Sequence, residues 1–344
     1  MDSDLRIIDE AFEYLIQKSS KWEKWQYFTP RVVIDMCVNM MNPWKSEYVI
    51  DTACGSAWFL VHTMKYARQK YYLKLTDWEF RERYASKYLF WIDFDEKTAK
   101  ISRAIMLIAW DWKSHIFKLN SLDTSNWVKS DIKEQLRRFD LIKKYWDLEK
   151  DRQNEEDLKE LKFDVLLANP PFAGKITDKK MLASFNLWKN EKWKLVNQTS
   201  RHILFIEKNL NVVKQWWRLA LVLPQWVFNN TSEEYIRKYI MKKARILAVV
   251  GLDGNAFKPH TWTKTSVLFL QKWQSNELDE WGNPKMKNYP IFFATSKLSF
   301  KDNSWNYIYK DNETGEKVLQ NDLLDIAEAF KIWGNEQGFD FLTE

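Results

Sequence analysis

The sequence predicts a doubly wound α/β fold around a mostly parallel, seven-stranded sheet. Seven short apolar, β-type runs recur along the chain: YVID (48–51), YLFWID (88–93), HIFKL (115–119), FDVLLA (163–168), RLALVLP (218–224), ILAVVGL (246–252) and TSVLFLQKW (265–273). Segments with apolar residues at helical spacing lie between most of them, and that alternation produces parallel strands joined by crossover helices. Several runs end directly in Asp, Asn or a small-residue turn, at the strand ends where open α/β sheets bind their ligands.

Each element has its own warrant. LRIIDEAFEYLIQKS (5–19) carries apolar residues at helical spacing. In YFTPRVVIDMCVNMM, the Thr-Pro pair suits a helix start. Residues 59–72 read as the helix after the first strand, and DEKTAKISRAIMLIAW as the helix after the second. Residues 129–162 are dense in charge with spaced apolar positions, which predicts an exposed helical insertion with a solvated face. HILFIEKNLNVVKQ and SEEYIRKYIMKKA are expected as helices. No clear helix precedes the last run, so 246–252 and 265–273 are expected to close the sheet as a hairpin-like pair.

Composition narrows the function classes. The 344 residues are 45% hydrophobic and 29% charged, which fits a globular chain. No apolar run approaches a membrane span, and no charged-then-apolar leader opens the chain. Two cysteines, Cys37 and Cys54, without a CxxC pair, fit a reducing cytoplasm and no structural zinc, and four scattered histidines predict no metal site. The net charge of +6 suits a polyanionic partner such as nucleic acid.

Three constellations carry chemistry. NPPF, Asn169, Pro170, Pro171 and Phe172, follows FDVLLA directly. Two prolines fix the backbone and leave its carbonyls as acceptors, and the Asn amide oxygen is another. Acceptors held in a rigid loop beside an aromatic ring suit a flipped base whose exocyclic amine reacts. In DTACGSAWFL, Asp51 at the strand end precedes Ala53, Cys54, Gly55, Ser56, Ala57 and Trp58, a small-residue turn with room for a nucleoside-bearing cofactor; one glycine is too few for the dinucleotide fingerprint. Asp93 ends the second strand, where a carboxylate can accept from ribose hydroxyls, while Asp95 is placed to cap the next helix. Asn120 and Ser121 end the third strand, where they could edge an adenine ring.

WQYFTPR, DTACGSAWFL, WIDFDE and NPPF, in this order, resemble the motifs of the methylation subunits of type I restriction-modification systems, within the N6-adenine DNA methyltransferases. KQWWRLALVLPQWVF and FKPHTWTKTSVLFL extend the resemblance, which covers about residues 20–275. It implies a class I S-adenosylmethionine-dependent methyltransferase fold. Gln26, Tyr27, Phe28, Thr29, Pro30 and Arg31 would wall the S-adenosylmethionine pocket. Asp51 and residues 53–58 would hold the methionine part, Asp93 the ribose, and Asn169, Pro170 and Phe172 the target adenine. The implied mechanism is direct transfer to the amine, which leaves Cys54 as a packing residue.

The implied organisation is an N-terminal helix at 1–24, left from or linking to a helical domain, a catalytic domain at 25–290, and a C-terminal extension at 291–344 offered as a subunit contact. Only roughly 20 residues precede the cofactor motifs, so the chain is read as a fragment or as starting late. No target-recognition domain and no helicase P-loop is evident. The implied partners are therefore double-stranded DNA, a separate specificity subunit and a restriction or translocase subunit. One rival is methylation of an amide or amine in protein or RNA, against which the QYFTPR stretch argues. Another is a non-catalytic DNA-binding subunit with a spoiled cofactor pocket.

The second rival arises from the tryptophans. The chain has 20 tryptophans and 8 glycines, whereas ordinary glycine usage would give roughly 24. Trp25, Trp58, Trp91, Trp216, Trp217, Trp226 and Trp262 stand where the family pattern has glycine, and Trp22, Trp110 and Trp112 look the same. Trp44, Trp188, Trp193 and Trp305 are further candidates, whereas Trp127, Trp146 and Trp273 look like ordinary tryptophans. Reading a gene that uses UGA for glycine with a code in which UGA means tryptophan leaves this pattern. The alternative is genuine tryptophans in a decayed relative.

Overall fold

The computed structural model describes residues 29–55, 57–95, 98–100, 102, 103, 106, 115–123, 162–189, 196–259, 261–311, 315 and 317–343. The expected helix at 5–19 and the charged insertion up to residue 161 lie outside the described residues.

The first element among the described residues is helix α1 (Arg31–Met41), followed by strand β1 (Val49–Asp51), helix α2 (Trp58–Tyr71), β2 (Leu89–Asp93) and β3 (His115–Lys118). β4 (Phe163–Ala168), α3 (Arg201–Val212), β5 (Val213–Pro224), α4 (Glu234–Lys243), β6 (Ala244–Gly251) and β7 (Thr265–Lys272) follow. β8 (Phe292–Thr295) and α5 (Leu323–Glu336) come from the segment expected as a C-terminal extension. The sheet order is β8-β6-β7-β5-β4-β1-β2-β3. All seven expected strands are in it, and β8 adds an eighth beside β6. β7 alone runs antiparallel, to both β5 and β6, so the expected antiparallel closure is present.

The sheet is buried on both faces, as parallel strands under crossover helices must be. β4 shows the division: Val165 and Leu167 join a core with α1, α2 and α5, whereas Leu166 and Ala168 join a second core with α3 and α4. Alternate residues of a strand face opposite sides, so FDVLLA is buried along its whole length and is apolar but for Asp164, whose carboxylate accepts from Tyr48 N–H at 2.8 Å and Lys214 Nζ at 2.6 Å.

α1 starts where the Thr-Pro pair predicts, with Pro30 as N-cap; its carbonyl accepts from Val33 and Ile34 N–H. Asn42 ends the helix in the left-handed region, φ 44°, a conformation Asn tolerates better than most residues. The Arg218 guanidinium on β5 reaches the Met41 and Asn42 carbonyls there and pairs bidentately with buried Glu47, at 2.9 and 2.8 Å.

One element is corrected. The helix expected at 202–215 stops at Val212, and 213–217 already belong to β5. Val213 pairs with Phe163, while Val165 pairs with Arg218, so β5 carries a bulge between them. NVVKQ keeps helical apolar spacing, but pairing with β4 overrides it.

Candidate active site

The carboxyl ends of β1, β2, β3 and β4 meet at one edge of the sheet. Asp51 closes β1 and is buried, and its Oδ1 accepts from Ala53 N–H at 2.9 Å. The turn then folds over β2, with Cys54 N–H donating to the Ile92 carbonyl at 3.1 Å and Gly55 N–H to Asp93 Oδ2 at 3.0 Å. Gly55 has φ +52°, and a methyl group there would meet nothing within 4 Å, so the turn keeps open space beside its backbone. Ala57, at φ 63°, precedes the first helical residue, Trp58. The Trp58 ring is buried edge-on to His62 at 6.0 Å, and the Arg31 guanidinium lies 5.6 Å from its centroid.

Asp93 also accepts from Asp95 N–H at 2.8 Å, and Asp95 caps the next helical segment through Thr98 N–H at 2.9 Å. Asn120 Oδ1 accepts from Leu122 N–H at 3.1 Å, and buried Ser121 donates to the Thr52 carbonyl. Asn169 Nδ2 donates to Thr29 Oγ1 at 2.9 Å, joining the NPPF loop to the TPR stretch across 140 residues of sequence. Pro170 is buried and Pro171 half-buried, and the Phe172 ring packs into the core shared with α1 and α2. Gln26, Tyr27, Phe28 and Ser56 lie outside the described residues.

Burial sets the protonation of this edge. It pushes the Asp51 carboxyl up to about 8, with the Ala53 amide pulling down and the Asp93 charge pushing further up. It also pushes Asp93 up to about 6, against the amides of Asp95 and Gly55. The buried Asp51 and half-buried Asp93 carboxyls are thus held without a compensating cation among the described residues, an arrangement that accumulates at binding sites. The same burial and the neighbouring acids raise the Cys54 thiol well above its ordinary value, so it is not a thiolate.

Several supporting residues were not read from the sequence. Ser102 donates to the Gly55 carbonyl and, at 2.9 Å, to that of Thr98. Thr52 Oγ1 donates to Asn209 Oδ1 of α3 at 2.6 Å. Glu207, fully buried, accepts from Asn186 N–H and Nδ2 at 2.8 Å and from Leu187 N–H at 2.7 Å, fixing the segment after the NPPF loop. The ring nitrogens of buried His202, at the start of α3, have no hydrogen-bond partner of normal geometry among the described residues; burial lowers its imidazole to about 4, with the Phe172 backbone pulling the other way. A cavity of about 440 Å³ lies farther along the sheet, lined by Gln225, Phe228, Gly251, Phe293 and Lys297 among others, and includes none of the expected site residues.

A family model described as N-6 DNA Methylase matches residues 3–344. The chain belongs to the N-6 DNA methylase family. Among relatives of this family member is the type I restriction enzyme EcoEI methylase subunit of Escherichia coli, 24% identical over 284 residues, or 80% of this chain and 49% of that one. The EcoKI methylase subunit of Escherichia coli K12 is 25% identical over 268 residues, or 76% of this chain and 44% of that one. The chain therefore spans about half the length of these relatives.

Solved structures share the fold of this member of the N-6 DNA methylase family. A Vibrio vulnificus YJ016 protein, described as the modification subunit of a type I restriction enzyme, superposes with TM-score 0.60 at 19% identity, over 96% of this chain and 57% of that one. A Listeria monocytogenes protein, described as a class I S-adenosylmethionine-dependent methyltransferase, gives 0.57 at 16% identity, over 86% of this chain and 72% of that one. The doubly wound fold and the family read from the motifs both stand.

Proposed function

We propose that this chain is the modifying subunit of a type I restriction-modification system and methylates the N6 amine of an adenine flipped out of double-stranded DNA, with S-adenosylmethionine as donor. The observation that carries the reading is the Asn169–Thr29 hydrogen bond, which sets the NPPF loop against the TPR stretch at the strand ends.

The residues fit this cofactor. Buried Asp51 and half-buried Asp93 have raised values, suited to a cationic ligand with hydroxyls, and Gly55 leaves its backbone approachable. Thr29, Pro30 and Arg31 would form one wall; Asp51, Ala53, Cys54, Gly55 and Ala57 would face the methionine part; Asp93 would face the ribose, and Asn120 and Ser121 the adenine edge. S-adenosylmethionine, when bound, supplies a methyl group on a sulfonium for direct transfer.

The chain's own work is positioning. With Nδ2 committed to Thr29, Asn169 presents Oδ1 as an acceptor. That oxygen and the Pro170 carbonyl take the two hydrogens of the target amine. Its lone pair is thereby concentrated on nitrogen and directed out of the base plane. The Phe172 ring turns from its packed position to cover the flipped base. Basic side chains hold DNA phosphates, and a separate specificity subunit reads the sequence. Two free, buried cysteines suit a reducing cytoplasm.

Trp58 at the start of α2, beneath Arg31, supports the second reading, a non-catalytic DNA-binding subunit. The test is N6-methyladenine formation in unmethylated DNA incubated with S-adenosylmethionine, this chain and the specificity subunit. Methylation that disappears in Asn169→Ala supports the enzyme. DNA binding with neither methylation nor cofactor binding leaves the second reading.

A further inference from the structure

We infer that positions 44, 58, 91, 216 and 305 are glycine in the protein its native source makes, the tryptophans there standing for UGA codons which that source reads as glycine.

The chain contains its own control. DEWGN (279–283) and DNSWN (302–306) are the same loop. Each is flanked by an isolated antiparallel bridge, Leu278 to Pro284 and Lys301 to Tyr307. In the first, Asp279 N–H donates to the Asn283 carbonyl at 2.8 Å, and Gly282 N–H to the Asp279 carbonyl at 3.0 Å. In the second, Asp302 N–H donates to the Asn306 carbonyl at 2.9 Å, and Trp305 N–H to the Asp302 carbonyl at 3.0 Å. Asp279 Oδ1 accepts from Trp281 and Asn283 N–H at 2.9 and 2.7 Å; Asp302 Oδ1 accepts from Ser304 and Asn306 N–H at 2.8 and 2.9 Å. The fourth position has φ +72° in Gly282 and +70° in Trp305. The loop needs the left-handed region there. Glycine adopts it freely, whereas a bulky side chain is a steric outlier.

Trp216 repeats the conflict elsewhere. It sits inside the β5 irregularity at φ +71°, a left-handed conformation that the G1 type of bulge fills with glycine. Among the described residues, four non-glycines have positive φ: Asn42, Ala57, Trp216 and Trp305. Asn tolerates that region and Ala is small; the two tryptophans have neither property.

A separate feature marks Trp44, Trp58 and Trp91. Their indole nitrogens are buried without a hydrogen-bond acceptor among the described residues. Buried indoles normally find one, and Trp273 does, donating to the Met241 carbonyl at 2.9 Å. Trp273 is also one of the tryptophans whose sequence context looks ordinary. The inference concerns residue identity. Only its consequence for the cofactor cradle, a first turn of α2 free of the Trp58 ring, rests on the methyltransferase reading.

The deciding experiment is peptide mass spectrometry of the protein purified from its native source, over residues 40–64, 86–95, 213–220, 265–275 and 300–308. Glycine at 44, 58, 91, 216 and 305, with tryptophan retained at 273, is the expected result. Tryptophan at 216 and 305 overturns the inference, whatever the activity of the protein. A recombinant comparison reads the conformational basis: W305G and W216G should each raise the melting temperature and W273G should lower it. A fall for both W305G and W216G counts against the inference. Neither readout depends on methyl transfer, so failure of the proposed function would show separately, as absent methylation.

Discussion

Asn169 and Thr29 are 140 positions apart and joined by one hydrogen bond of 2.9 Å, from the amide nitrogen to the hydroxyl. The bond fixes which way the amide faces, and with it the acceptor offered to a target amine. Asn169→Ala is expected to lower methyl transfer on the order of 10²–10³-fold, the scale seen when one aligned transition-state partner is removed. Thr29→Val should cost about tenfold in kcat, and Thr29→Ser should restore it, because the serine hydroxyl can accept the same bond. Single-turnover rates check both. Equal rates for Thr29→Val and Thr29→Ser would remove the orienting role.

The Asp51 and Asp93 carboxyls, raised to about 8 and about 6, are partly protonated near neutrality. Cationic cofactor binding should expel those protons. Affinity for S-adenosylmethionine should therefore rise from pH 6 to pH 9, with proton release visible as a buffer-dependent binding enthalpy. The sign for stability is the opposite. A carboxyl with a raised folded value favours the folded state at low pH, and that advantage is lost as pH climbs towards 8. Asp51→Asn should flatten this dependence in the free protein while weakening the cofactor.

His202 titrates in the other sense. Its folded value of about 4, held down chiefly by burial, lies below the ordinary 6.5, so the unfolded chain takes up a proton first as pH falls. Its contribution to stability is intact above pH 6.5 and shrinks towards pH 4. Between pH 6.5 and pH 5 the loss is about 2 kcal/mol. Urea unfolding of wild type and His202→Gln at both pH values measures it; a pH-independent difference would contradict it.

Arg218 and Glu47 form a buried bidentate pair, with side chains 2% and 7% exposed. Glu47→Ala strands the guanidinium and should cost about 3–5 kcal/mol. The double replacement Arg218→Met, Glu47→Leu should recover most of that loss. Chemical denaturation decides between this and a surface-like pair, for which Glu47→Ala would cost under about 1 kcal/mol.

Cys54 lies in the cradle with its thiol raised by burial and by Asp93 and Asp51. It should react slowly with thiol reagents in the folded protein and quickly in urea, and Cys54→Ala should keep methyl transfer. Loss of transfer with the fold intact would assign the sulfur a chemical role.

Asp51 and Asp93 were legible because each ends a short apolar strand, and Asn169 because it directly follows one, so local pattern alone places them at the carboxyl edge of the sheet. Ser102, Asn209, Glu207 and His202 were not. The first three hold a turn or loop from a different element, His202 is buried beneath the site, and nothing in their neighbouring residues marks those positions. The start of β5 was hidden because Val212 and Val213 continue the helical spacing of α3, and only the register with β4 ends it. β8 was missed although IFFA (291–294) is apolar: the run is short, follows a proline, and only its register with β6 makes it an eighth strand.

β7 is the last of the seven core strands in sequence, yet it lies between two that precede it. During synthesis, β5 and β6 leave the ribosome before the strand that joins them, and each waits with an unpaired edge. Until residues 265–272 emerge, those edges are templates for pairing with other nascent chains. A ribosome stalled before Thr265 would therefore release an aggregation-prone intermediate, and a short delay there would be costlier than one after β4.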